Sequence, residues 1–120
     1  MDNSIEHDIA PDIRAIISFE QGFQAYQGAL AAAIRILRPS AEVITVEPEK
    51  IHGAVKRFNP DIIIGSPLNM ADVEGVPAWV ELSLDPAQSS RVSVNGCYSE
   101  MVNPTLDKLL VIIEEVVPTH

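Results

Sequence analysis

A single cysteine, Cys97, stands in the 120 residues of this chain. One thiol cannot close an internal disulfide and supplies no cluster of zinc ligands, so a reducing, cytoplasmic compartment is the simplest home for it. Basic residues are scarce as well: 8 Lys and Arg stand against 17 Asp and Glu, a formal net charge of −9. Nucleic-acid binders draw most of their affinity from clustered cations. Here only Arg35 with Arg38 and Lys56 with Arg57 lie close, both pairs at expected helix ends, where a cation complements the macrodipole. No nucleic-acid partner is expected. Long apolar runs are missing too, none approaching the roughly 20 residues that span a bilayer, and no membrane partner is expected. The three histidines, His7, His52 and His120, show no ligand spacing and none neighbours Cys97 as a base. Neither a metal site nor thiol catalysis follows, and Cys97 is expected to be buried and inert. Gly22 is the only glycine at the first strand-to-helix turn, without a phosphate-binding fingerprint, so no cofactor is expected.

What is present is ordinary globular material, 47% hydrophobic and 21% charged, of a size for one core. Met1 to Asp12 holds four acids and no Lys or Arg, unlike a secretory leader. Residues 1–12 are read as a flexible leader and 13–120 as a single domain. Arg14 to Phe19 is a short apolar run rich in β-branched residues, which suits a strand buried on both faces. Phe23, Tyr26, Leu30, Ala33 or Ile34, and Leu37 then recur at helical spacing up to Pro39. Glu42 to Val46 predicts a second strand, leading into Pro48 at a helix's first turn. Ile51, Val55 and Phe58 form that helix's stripe, and Asn59-Pro60 ends it. Asp61 to Gly65 is the third strand. Strands alternating with helices at this spacing imply right-handed crossovers and a parallel sheet covered on both faces.

Beyond Gly65 the rhythm changes. Only Ser66 to Pro77 separates the third strand from the next, which leaves room for one helical turn at most. Ala78 to Leu84 alternates, with Trp79, Glu81 and Ser83 on one face, the pattern of a half-exposed strand expected near an edge. A short turn-rich link joins it to Arg91–Asn95, so these two run antiparallel. Asn103 as N-cap, Pro104 at the first helical position and the stripe Leu106, Leu109, Leu110, Ile113, Val116, Val117 predict a final helix. The expectation is an α/β three-layer sandwich: a mostly parallel five-stranded sheet in the order 2-1-3-4-5, a late hairpin of antiparallel edge strands, and about three helices.

That layout is similar to the flavodoxin-like fold. In size and spacing it resembles the receiver domain of response regulators, over about the first 66 residues and again in the last helix. The family's chemistry does not come with it. A receiver needs paired acids after strand one, and here Ser18-Phe19-Glu20-Gln21 supplies one. It needs an acceptor aspartate at the end of strand three, and here the chain reads Ile64-Gly65-Ser66-Pro67. It needs a lysine after its last strand, and here stands Asn95-Gly96-Cys97-Tyr98. The resemblance therefore implies a degenerate receiver-like module that is not phosphorylated on aspartate.

Ligands of open α/β sheets bind beyond the carboxyl ends of the strands, where strand order reverses. That places Glu20, Ser66 and Asn69 together as a candidate carboxylate, hydroxyl and amide for a small molecule, in a binding protein or an enzyme. The weightier reading is a non-catalytic interaction or regulatory module. Trp79 either suits an interface anchor or is covered by the last helix, and Val111 and Ile112 fall off the main stripe of that helix, giving it a second apolar face. A homodimer, or another protein partner, is expected to use the late hairpin or that helix.

Overall fold

The computed structural model describes residues 13–83, 85, 87–102 and 104–116. The expected leader and Asn103, the expected N-cap, lie outside the described residues, as do Leu84 and Val117.

Strand β1 (Arg14–Phe19) is the centre of the parallel half of the sheet, and from Ala15 onward every residue of it is buried. Helix α1 (Gln24–Leu37) follows, and the Arg38 N–H closes its last turn on Ile34 at 2.8 Å. Strand β2 (Glu42–Thr45) runs through a single 3₁₀ turn at Pro48–Lys50 into α2 (Ile51–Phe58). Asn59, at φ 53°, stops α2 in the left-handed conformation that asparagine tolerates, directly before Pro60. Strand β3 (Ile62–Ser66) returns beside β1, and the one-turn helix α3 (Met70–Val73) connects it to β4 (Ala78–Glu81).

From there the chain makes no further crossover. Strands β5 (Ser89–Val94) and β6 (Cys97–Val102) complete a meander, and α4 (Leu106–Val116) folds back over the sheet. The result is one six-stranded mixed sheet in the order β2-β1-β3-β4-β5-β6. Strands β1 to β4 are mutually parallel, whereas β5 and β6 are antiparallel to their neighbours.

Two cores flank the sheet. On one face α1 and α4 bury Leu30, Ile34, Leu109, Ile112 and Ile113 against Ile17, Ile62, Ile64, Val80 and Val92. On the other, α2 and α3 bury Ile51, Ala54 and Val73 against Ile16 and Ile63. At about 25 cal/mol per Å² of apolar surface, this two-sided burial of the isoleucines is the main force that holds the layers together.

The structure corrects the sequence reading in four places. There are six strands, because Cys97–Val102 pairs with β5 through an Asn95-Gly96 turn; both residues have positive φ (51° and 86°), as a two-residue hairpin requires. Among the described residues there are four helices where about three were expected, and β6 is the last strand; β4, as the order 2-1-3-4-5 has it, lies between β3 and β5. Its alternation arises because its second face is thinly covered. Ile112 is 3% exposed and belongs to the α4 stripe with Leu109, Ile113 and Val116, so it packs in the chain's own core and is no surface anchor. Cys97 is exposed beside the hairpin turn.

Candidate functional site

The carboxyl ends of β1 and β3 are where the chain leaves the sheet in opposite directions, to α1 on one face and to α3 on the other. The Glu20 N–H donates to the Ser66 carbonyl at 3.1 Å and stitches these two ends together. The Ser66–Pro67 peptide bond is cis. Gly65, paired with Ser18, allows the two strands to meet here: a Cβ on it would stand 1.9 Å from the Ser18 carbonyl oxygen.

A crevice of about 630 Å³ opens beside this junction, lined among others by Glu20, Phe23, Ser66, Glu81, Ser83 and Arg91. Leu82, Ser83, Asp85 and Gln88 form its far wall, pinned by the Ser83 N–H donating to the buried Ser90 hydroxyl at 2.8 Å. Glu81 is the best-tied acid there. One oxygen accepts from the Leu68 N–H at 2.8 Å, and the other from Arg91 Nε at 2.7 Å and from the same guanidinium's Nη2. The Arg91 guanidinium in turn lies 5.8 Å from the centre of the Trp79 ring. Two of the three residues expected at the crevice, Glu20 and Ser66, are thus brought together. Asn69 is not among the lining residues: its side chain accepts from the Ala71 N–H at 2.9 Å and caps α3. Among the described residues no group of three or more His, Cys, Asp or Glu is placed to hold a metal ion. Chemically the crevice offers carboxylates, hydroxyls, the Arg91 guanidinium and the Phe23 ring to a polar small molecule.

A second feature lies at the meander end of the sheet. Crossover helices are what cover both faces of a parallel sheet, and the β4–β5 and β5–β6 connections are hairpins without helices. Helix α4 covers one face of this end. The other carries the cross-strand row Trp79, Ser93, Tyr98 and, beside it, the row Glu81, Arg91, Glu100. Trp79 is half-buried, with its ring centre 6.4 Å from that of Tyr98. Tyr98 and Val102 are 54% and 69% exposed. The Tyr98 hydroxyl donates to Glu100 at 2.9 Å, and that hydrogen bond to a carboxylate holds the phenol above its ordinary pKa. A hollow of about 440 Å³ between α3 and the hairpin has Trp79, Met70 and Val76 in its lining. Val111, the remaining expected surface residue of α4, is 57% exposed.

Sequence reasoning missed Glu81, Arg91 and Tyr98. The signal was available in Asn95-Gly96, the strongest short-range hairpin dipeptide. Pairing outward from that turn sets Arg91 opposite Glu100, and Tyr98 opposite Ser93 in the row of Trp79.

Comparison with known proteins finds no family model, no curated protein and no solved structure that matches this chain. Among the described residues no helix is long and apolar enough to cross a membrane.

Proposed function

We propose that the chain is a non-catalytic protein-interaction module, laid out like a flavodoxin-like receiver domain without its phosphoacceptor, which docks partners through the β4–β6 end of its sheet. The observation that carries this reading is the sheet face on which half-buried Trp79 stands beside exposed Tyr98, next to β6, the last strand of the sheet among the described residues. Aromatic side chains combine a large contact area with few rotors, and sheet edges present unpaired backbone groups. The parallel strand order β2-β1-β3-β4 supports the receiver-like part of the reading, and the antiparallel β5 and β6 are where the chain departs from that family. The homodimer expected from the sequence uses this same surface.

The test is partner capture from a native extract on the immobilised chain. Tyr98→Ser with Val102→Ser, both on exposed positions, is expected to release what the wild type retains, while Ile36→Ser, 75% exposed on α1, is expected to release nothing. Retention that ignores the Tyr98 and Val102 substitutions, with far-UV circular dichroism unchanged, sinks the reading. Acetyl phosphate with magnesium is expected to leave the mass of the chain unchanged.

A second reading rests on the crevice. Its volume falls within the range of small-molecule sites, and a ligand found by thermal-shift screening should lose its stabilising effect in Glu20→Gln and Ser66→Ala. A ligand that stabilises both variants as much as the wild type binds elsewhere.

A further inference from the structure

Among the described residues β6 is the last strand of the sheet, and its outer edge has a polarity that can be read residue by residue. In a two-residue hairpin the residues flanking the turn exchange both backbone hydrogen bonds, and here these are Val94 and Cys97. The N–H and C=O groups of Cys97, Ser99 and Met101 therefore point to β5, and those of Tyr98, Glu100 and Val102 point away from the sheet. The same alternation holds on the far side of β5, where the Asn95 N–H donates to the Pro77 carbonyl at 2.7 Å. The register from Val94↔Cys97 to Ser89↔Val102 runs without a bulge, and β6 contains neither proline nor lysine. Proline, lysine and a bulge, three devices that blunt a sheet edge, are thus missing from the described strand; Glu100 is the charge it carries.

Glu100 decides which strand can be added. When β6 pairs antiparallel with a copy of itself, outward-pointing residues must face outward-pointing residues, which allows few registers. Centred on Glu100, the pairing sets that carboxylate directly opposite its own copy, a destabilising like-charge pair. Centred on Met101, it leaves Tyr98 without a backbone partner. Centred on Ser99, it sets Tyr98 opposite Glu100 twice, a phenol donor facing a carboxylate acceptor on the bare face. Arg91, the cross-strand neighbour of Glu100 within each copy, then flanks each pair. Within one copy the Tyr98 hydroxyl donates to its own Glu100 at 2.9 Å, so on pairing its one hydrogen passes to the carboxylate of the second copy.

We propose that a second copy of this chain adds to the β6 edge across a two-fold axis at Ser99, joining the six strands of each copy into one continuous sheet. The arrangement is isologous, the commonest kind of closed assembly. It rests on the interaction-module reading and names the partner for its edge.

Disulfide trapping with light scattering tests it. About this axis, the two copies of residue 99 form a non-hydrogen-bonded pair with Cα atoms about 4.5 Å apart, within the roughly 4.4–6.8 Å of a disulfide. Ser99→Cys in a Cys97→Ser background is expected to oxidise largely to a covalent dimer. The wild-type thiols, which face Met101 of the second copy and lie four residues out of step with each other, roughly 13 Å apart, are expected to stay uncrosslinked. Glu100→Pro removes an N–H that points outward and leaves the β5 pairing intact, and it is expected to weaken dimerisation at least tenfold while the circular dichroism spectrum is unchanged. A chain that is monomeric at every concentration overturns this proposal, yet leaves the module reading standing if Tyr98 and Val102 still govern capture of another protein. A dimer that survives Glu100→Pro and is not trapped at residue 99 overturns it as well, and moves the contact to another surface.

Discussion

At the scale of single residues, the crowded point is the contact between β1 and β3. Gly65 stands where a Cβ would overlap the Ser18 carbonyl oxygen, so Gly65→Ala forces two buried strands apart. It is expected to cost about 3 kcal/mol or more in urea unfolding, at the upper end of overpacking effects. The Ser18 hydroxyl beside it is fully buried and has no hydrogen-bond partner among the described residues. Ser18→Ala removes that unsatisfied group and is expected to raise stability by about 1 kcal/mol. A different kind of residue-level test is offered by Tyr98, whose phenol is held above its ordinary value chiefly by the hydrogen bond to Glu100. The carboxylate disfavours the phenolate, so Glu100→Gln should move the Tyr98 absorbance titration to lower pH. A midpoint that does not move would mean that the two side chains do not meet in solution.

At the scale of elements, α4 shows how a helix with apolar residues on several sides chooses the face it buries. Leu109, Ile112, Ile113 and Val116 are buried, and Val111 projects outward. Ile112→Ala is therefore expected to cost about 3 kcal/mol through the cavity it leaves, whereas Val111→Ser should stay within about 0.5 kcal/mol of wild type. Equal effects on the melting temperature would contradict this orientation. The β5–β6 hairpin obeys the turn chemistry of Asn95-Gly96, and because its strands join through a turn, no crossover helix arises to cover the Trp79 face.

For the whole molecule, charge is the overriding quantity. Two copies that each carry a formal −9 repel one another at long range, whereas the proposed contact is made of backbone hydrogen bonds and a Tyr98–Glu100 pair. Added salt screens the repulsion over a Debye length that falls to about 8 Å at physiological ionic strength. The dimer is therefore expected to tighten as salt rises from low to physiological levels, as measured by sedimentation equilibrium. Weakening with salt would point to an interface built on ion pairs and away from the edge of β6.

The alternation of β1, α1, β2, α2 and β3 was legible in the sequence because each element carries its own period and stop signal: the β-branched runs, Pro39, Pro48, Asn59-Pro60. So were the single helical turn allowed between Ser66 and Pro77, and the meeting of Glu20 with Ser66, since strand ends in such a sheet converge whatever their side chains. The sequence also determined the hairpin at Asn95-Gly96, although its consequence needs the register to be followed outward. Only the tertiary structure decided that Ile112 faces the core, that Asn69 caps α3, and that Glu81 and Arg91 meet beside the crevice. These depend on which faces the returning helices cover and on pairings between distant segments, and no local period records either.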